Sequence, residues 1–240
     1  MSYAAVLAHP EGSSTVARFA LTASECGYDG IVVRNHGGSL PEYDPAAIAA
    51  EYDIDVVSGV EVRADDPSRA SGFVGNHRAD KTIVAVHGDD PEINRFAVEH
   101  PAVDVLAHPM ADDGDLNHVL AKAARENGVR LEIDLGPLVR ERAGDRVRAL
   151  QGLRKLQELR AAYDVPAVVS LTPTSHLHLR APREVVALGE SAGFDAATIR
   201  AGLAEWGHLA ARNRERRDEA FVEPGVRRID GPGDGTGDGT

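Results

Sequence analysis

Short apolar runs and amphipathic stretches alternate along this chain almost from end to end. Segments rich in Val, Ile, Leu and Ala fall at residues 4–8, 30–35, 55–63, 81–87, 102–107, 130–135 and 167–171. Runs this short, bounded by turn residues, read as strands, and their continuous apolar character suits strands covered on both faces. Between them the period changes to that of a helix. Val16, Phe19, Ala20 and Ala23 share one helical face, so a helix is expected over 15–26, closed by Gly27. Asp44-Pro45 supplies an N-cap followed by proline and opens a short helix to Tyr52. Asp90-Pro91 does the same for a helix reaching His100. Asp115 is expected to cap a helix over 116–127, ended by Gly128. Pro182 opens another that stops at Gly193, with Gly189 the alternative stop. Asp195 caps a last helix to about Arg217. Residues 64–79 show no period and read as a polar loop.

Strands that alternate with helices and are covered on both faces pair in parallel. The expected architecture is α/β, an irregular TIM-like barrel with about seven parallel strands; a doubly wound open sheet is the alternative. Residues 1–220 are expected to form this as a single domain. Residues 221–240 are expected to be an extended segment followed by a disordered Gly/Asp-rich tail, because GPGDGTGDGT cannot bury enough surface to order itself.

Composition refines this picture. With 42% apolar residues the chain can build a core, and with 5% aromatics that core must be mostly Ala, Val, Leu and Ile. The single Cys26 excludes an internal disulfide. No apolar run approaches the roughly 18 residues of a membrane span, and the start MSYAAVLAHP has no signal-peptide pattern. A cytoplasmic protein without a membrane partner is expected.

Charge adds more. The net charge is −12, yet 23 of the 26 basic residues are Arg. An acidic, Lys-poor surface suits a cytoplasm of very high salt, where a Debye length of roughly 3 Å at about 1 M screens self-repulsion. Only close, well-shaped contacts to anions then persist.

The stretch 140–183 reverses the sign. It holds nine Arg or Lys against four acids. On a helical projection Arg148, Gln151, Arg154, Lys155 and Glu158 share one face, opposite Leu150, Leu153, Leu156 and Leu159. Arg180 and Arg183 flank Pro182 at a helix start, where free backbone N–H groups favour phosphate. Arg148, Arg154, Lys155, Arg180 and Arg183 are therefore candidate phosphate contacts, since the guanidinium fork suits bidentate binding. The competing reading pairs them with nearby surface acids.

Barrel chemistry sits at the C-terminal ends of strands. Those ends carry His9, Asn35, His36, Glu61, Arg63, His87, His108, Glu132 and Asp134, with His176 and His178 after the last strand. Several His on one face look like a metal site, although a single His is more often a turn residue.

Gly59-Val60-Glu61 and Ala107-His108-Pro109 resemble the polymerase-and-histidinol-phosphatase metallohydrolase superfamily. That resemblance implies a two- or three-metal phosphoesterase, with Asp/His-x-His-x-His on the first strand and Asp-x-His on the last. Here those places hold Ala5, Leu7 and His9, and Leu171-Thr172-Pro173-Thr174. A metal-dependent phosphoesterase is thus the alternative function, with most of its metal clamp missing.

A closer resemblance spans roughly residues 4–213. Gly27-Tyr-Asp-Gly-Ile-Val-Val-Arg-Asn-His36, Val60-Glu61-Val62-Arg63, Asp104-Val-Leu-Ala-His-Pro109, Leu131-Glu-Ile-Asp134, Arg146-Val-Arg-Ala-Leu150 and Leu179-Arg-Ala-Pro-Arg-Glu184 look like the archaeal ribonuclease P protein component 3 family. The resemblance implies a noncatalytic subunit of the ribonucleoprotein that removes 5′ leaders from precursor tRNA. It implies ribonuclease P RNA, a small companion protein subunit and, through the holoenzyme, precursor tRNA as partners. The five basic residues become candidate RNA contacts. No catalytic residue, metal or cofactor is expected on this chain, and the holoenzyme RNA is expected to need Mg2+.

Overall fold

A computed structural model describes residues 1–217, 221–223 and 226–227. Seven strands, β1 (Tyr3–Val6), β2 (Gly30–Val33), β3 (Asp55–Val62), β4 (Ile83–His87), β5 (Val105–Ala107), β6 (Arg130–Asp134) and β7 (Ala167–Ser170), pair in chain order. Every pairing is parallel. A doubly wound sheet would reverse its strand order at a switch point; this one never does, so it curls into a nearly closed barrel.

The helices are α1 (Val16–Glu25), α2 (Pro45–Tyr52), α3 (Pro67–Arg78), α4 (Pro91–Glu99), α5 (His118–Asn127), α6 (Gly136–Arg140), α7 (Ala143–Tyr163), α8 (Pro182–Ser191) and α9 (Ala196–Arg217). Helix α3 lies where a loop was expected. Asp66 caps it by accepting from Arg69 N at 2.9 Å, and Ala70 and Val74, four apart, are its buried face. Gly72, Gly75 and an outward-facing Phe73 break up that short apolar signal in the sequence. Asn117, not Asp115, caps α5, accepting from Val119 N and Leu120 N. The basic stretch divides into α6 and α7, with Ala143 at φ 45° at the break. Helix α7 buries Leu153 and Leu156 and half-buries Leu150 and Leu159, as its projection requires. Helix α8 ends at Ser191, between the two expected stops, and Gly193 follows at φ 100°.

Strands β1 and β7 do not pair with each other. Their C-terminal ends are joined by Leu7 N donating to Pro173 O at 3.1 Å and Ser13 N to Thr174 O at 2.7 Å. Helix α9 fills the rest of the gap. Leu131 N and Leu135 N donate to Pro166 O and Ser170 O, so the Val169 carbonyl faces away from β6. There it accepts from the Trp206 indole N–H at 2.9 Å, and Trp206 is fully buried. Two glycines let α9 approach this closely. A Cβ on Gly202 would stand 2.5 Å from Val169 Cγ2, and one on Gly207 2.5 Å from Tyr3 Cε2.

The barrel interior follows the two-residue period of strands. Tyr3, Ala5, Val32, Val57, Ile83, Ala85, Val105, Ala107 and Val168 pack against Trp206, Leu209 and Ala210. The larger core lies between strands and surrounding helices. Further along α9, Arg212 and Asn213 reach Asp104, and Arg214 pairs with Asp55. Helix α9 thus closes the N-terminal floor. Two short strands, β8 (Phe221–Glu223) and β9 (Val226–Arg227), pair antiparallel. The Gly/Asp-rich tail lies outside the described residues. Among the described residues no helix is long and apolar enough to cross a membrane.

Candidate functional site

Continuing the inward period of each strand past the apolar floor places Arg34, His36, Glu61, His87, Glu132, Asp134, Ser170 and Thr172 at the C-terminal mouth. His108 follows β5 and would point outward on a continuing strand. Its φ of 48° turns it into the left-handed region and brings its ring inward.

Arg34 is completely buried among these groups. Its Nη2 is 2.5 Å from Glu132 Oε1, its Nη1 is 3.1 Å from Glu61 Oε2, and Nη2 also donates to Thr172 Oγ1 at 3.1 Å. Below the guanidinium, 5.6 Å away, is the Trp206 ring. Ser170 Oγ donates to Glu132 Oε1 at 2.6 Å. One buried cation thereby bridges two buried carboxylates. Burial works against charge on Arg34, but Glu132, Glu61 and Asp134 outweigh it and raise its pKa.

The other oxygen of Glu61 faces the imidazoles. Glu61 Oε1 lies 2.5 Å from His87 Nδ1, 3.5 Å from His36 Nε2 and 3.5 Å from His108 Nε2. His36 Nδ1 is hydrogen-bonded to Glu11, and His108 Nδ1 stands 3.4 Å from Asp134. The Glu11 hydrogen bond, then Glu61, raises the His36 pKa to about 9. For His108 burial opposes protonation, but Glu132, Glu61 and Asp134 prevail and raise its pKa to about 9. Burial alone would raise Glu61; Arg34 first, then His108, His36 and His87, hold it well below the usual carboxylate range.

Other strand-end residues stand apart from this cluster. His9 is exposed, Asn35 is a buried brace bonded to Ala8 N, Ala8 O and Ser39 O, and Arg63 pairs with Asp89. His176 is bonded to Ser14, and His178 lies near Arg140 and Arg180 in the segment after β7. Glu11, which orients His36, lies in a loop and was not signalled by strand-end reasoning. Arg34, one residue before an expected site residue, was missed because a single Arg in an apolar run carries no sign of what it will face.

The five basic candidates divide. Arg148, Arg154 and Lys155 all lie exposed on α7. Arg148 pairs with Asp145 one turn away, and Lys155 pairs with Asp115. Arg154 has no ionic or hydrogen-bonding partner among the described residues. Arg183 is likewise exposed and without such a partner among them. Arg180 instead donates to the carbonyls of Leu177 and Leu179 at 3.0 and 2.8 Å. The start of α8 is also partly satisfied from within, since Ala181 N donates to Glu184 at 2.8 Å. A groove of about 640 Å³ runs between α7 and the 109–113 loop, with Met110, Leu153 and Leu156 along it and Asp112, Asp113, Asp145 and Arg148 at its edges.

The barrel shares its fold with histidinol phosphate phosphatase from Lactococcus lactis complexed with zinc, L-histidinol and phosphate (TM-score 0.53, 12% identity, covering 80% of this chain and 94% of that one). A two- or three-ion centre does not fit here. The inward positions of β1 and the segment after β7 are Ala5, Leu7 and Thr172, and Arg34 already bridges Glu61 to Glu132. The RNase P subunit p30 family matches residues 1–218, and the chain belongs to that family. It is 63% identical over 225 residues to ribonuclease P protein component 3 of Haloarcula marismortui, covering 94% of this chain and 96% of that protein. Its fold matches a chain in the cryo-EM structure of archaeal ribonuclease P with mature tRNA at TM-score 0.81, with 22% identity over 95% of this chain and 98% of that one.

Proposed function

We propose that this chain is the component 3 protein subunit of a cytoplasmic ribonuclease P, the ribonucleoprotein endonuclease that removes 5′ leaders from precursor tRNA. The observation that carries this reading is the 63% identity to ribonuclease P protein component 3 along nearly the whole length of both chains. In this role the RNA performs cleavage and holds the Mg2+ that cleavage requires. The protein, with a small companion subunit, stabilises the active fold of that RNA. A guanidinium between Glu61 and Glu132 favours this division of labour, because the two-ion clamp of a phosphoesterase cannot be assembled around it.

Within this function Arg148, Arg154, Lys155, Arg180 and Arg183 are the RNA contacts. Arg154 and Arg183, without partners among the described residues, are the strongest, because neither must break an internal contact to meet a phosphate. Arg148 and Lys155 would exchange Asp145 and Asp115 for phosphate. Arg180 is the weakest, being held on two backbone carbonyls. Reconstitution of precursor-tRNA cleavage at high salt, with the catalytic RNA and companion proteins, tests the reading. Cleavage should fall when this chain is omitted; undiminished cleavage without it overturns the proposal.

A further inference from the structure

Three imidazole nitrogens converge on a single carboxylate oxygen at the barrel mouth. His36 Nε2, His87 Nδ1 and Glu61 offer ligand atoms that all lie within 4.8 Å of one another. His108 Nε2 stands outside this trio but within 3.5 Å of Glu61 Oε1, placed to close in as a fourth ligand. The four residues come from the ends of β2, β3, β4 and β5, so no local segment accounts for their convergence. Glu61 is only 1% exposed and aimed into the group, and the buried His36 Nε2 has no hydrogen-bond partner.

The second ring nitrogens supply an independent sign. His36 Nδ1 is bonded to Glu11 and His108 Nδ1 faces Asp134 at 3.4 Å. A carboxylate behind an imidazole fixes its tautomer and turns its other nitrogen toward a cation. Two such pairs aim Nε2 at the same point. Three imidazoles with one carboxylate form a four-ligand set of the kind that suits zinc-class divalent ions.

We propose that this chain binds one divalent transition-metal ion of the zinc class through His36 Nε2, His87 Nδ1, His108 Nε2 and Glu61 Oε1. The ion pins four strand ends together. It does not form a hydrolytic pair, because Arg34 occupies the other Glu61 oxygen, where a bridging carboxylate would need a second ion. This departs from the expectation that the chain holds no metal, and it stands apart from the ribonuclease P assignment.

The test uses the full-length chain, stripped with chelator and titrated with zinc or cobalt(II) in the absence of RNA. One zinc per chain is expected by calorimetry. A rise in unfolding temperature of about 5 °C or more is expected at a hundredfold excess over the dissociation constant. Cobalt(II) should give the intense visible bands of a four-coordinate nitrogen-rich site, a readout that needs no variant. His87→Gln should abolish the bands and the shift. Glu11→Gln, which touches only the outer carboxylate, should weaken binding about 10–100-fold. His208→Gln, on an exposed helix position, should change nothing. Absence of stoichiometric zinc binding to the wild-type chain, or only six-coordinate cobalt spectra, overturns the proposal. So does unchanged affinity in both His87→Gln and Glu11→Gln.

Discussion

Arg34 and Glu132 meet at 2.5 Å in the interior of the barrel, with neither side chain accessible to solvent. The same guanidinium reaches Glu61, so one cation is shared between two buried anions. Removing one partner of such a group leaves uncompensated charge, at a cost of about 3–5 kcal/mol. Arg34→Met is expected to lower the urea-unfolding free energy by that order. Arg34→Met/Glu132→Gln should recover part of the loss, because it also removes one stranded carboxylate. Equal stability of Arg34→Met and wild type would show that the pair carries no such weight.

Trp206 stands where an eighth strand would have paired. Trp206→Ala should cost about 3–5 kcal/mol through the cavity it opens. Trp206→Phe retains most of the ring volume but strands the Val169 carbonyl, at about 1–3 kcal/mol. Circular dichroism during chemical unfolding reads both, since Trp206 is the only tryptophan in the chain and fluorescence disappears with it.

Arg154 and Arg183 test the RNA surface with the least structural cost. Both are exposed and without partners among the described residues, so Arg154→Ala and Arg183→Ala should leave the unfolding midpoint unchanged. Removing one phosphate-binding guanidinium should reduce the slope of log affinity for the RNA against log salt by about 1. A slope unchanged in both variants would remove RNA binding from these residues.

Tyr3 links stability to alkaline pH. Burial, and then Asp55, which accepts its hydroxyl at 3.0 Å, raise its pKa from 10.0 to about 12. A phenol whose folded pKa is raised contributes stability that is complete below pH 10. That contribution is lost as pH climbs through about 12. Tyr3→Phe should therefore fall in stability less steeply than wild type over this window. Unfolding midpoints across the alkaline range measure the difference.

The acidic surface predicts a salt response of one sign. A chain of net charge −12 should unfold at higher temperature in molar KCl than in dilute buffer, because screening relieves repulsion among its acids. Thermal scans that are insensitive to KCl would count against it.

By itself the sequence determined the seven strands, the helices between them other than α3 and the α6–α7 break, the Leu and Arg faces of α7, and the family. Each depends on period, capping residues or ordered motifs, which are local properties. It also indicated that His and acidic residues cluster at strand ends, since strand direction alone sets that. Only the tertiary structure decided which of them meet. His9 and Arg63 face away, whereas Glu11 arrives from a loop and His108 turns inward on a left-handed backbone. Arg34 was an ordinary strand residue until barrel closure put it between carboxylates contributed by β3 and β6. Helix α9 likewise shows as a capped helix in the sequence, but its place in the gap between β7 and β1 does not. Closure brings together residues dozens to hundreds of positions apart, and short-range pattern carries no record of that.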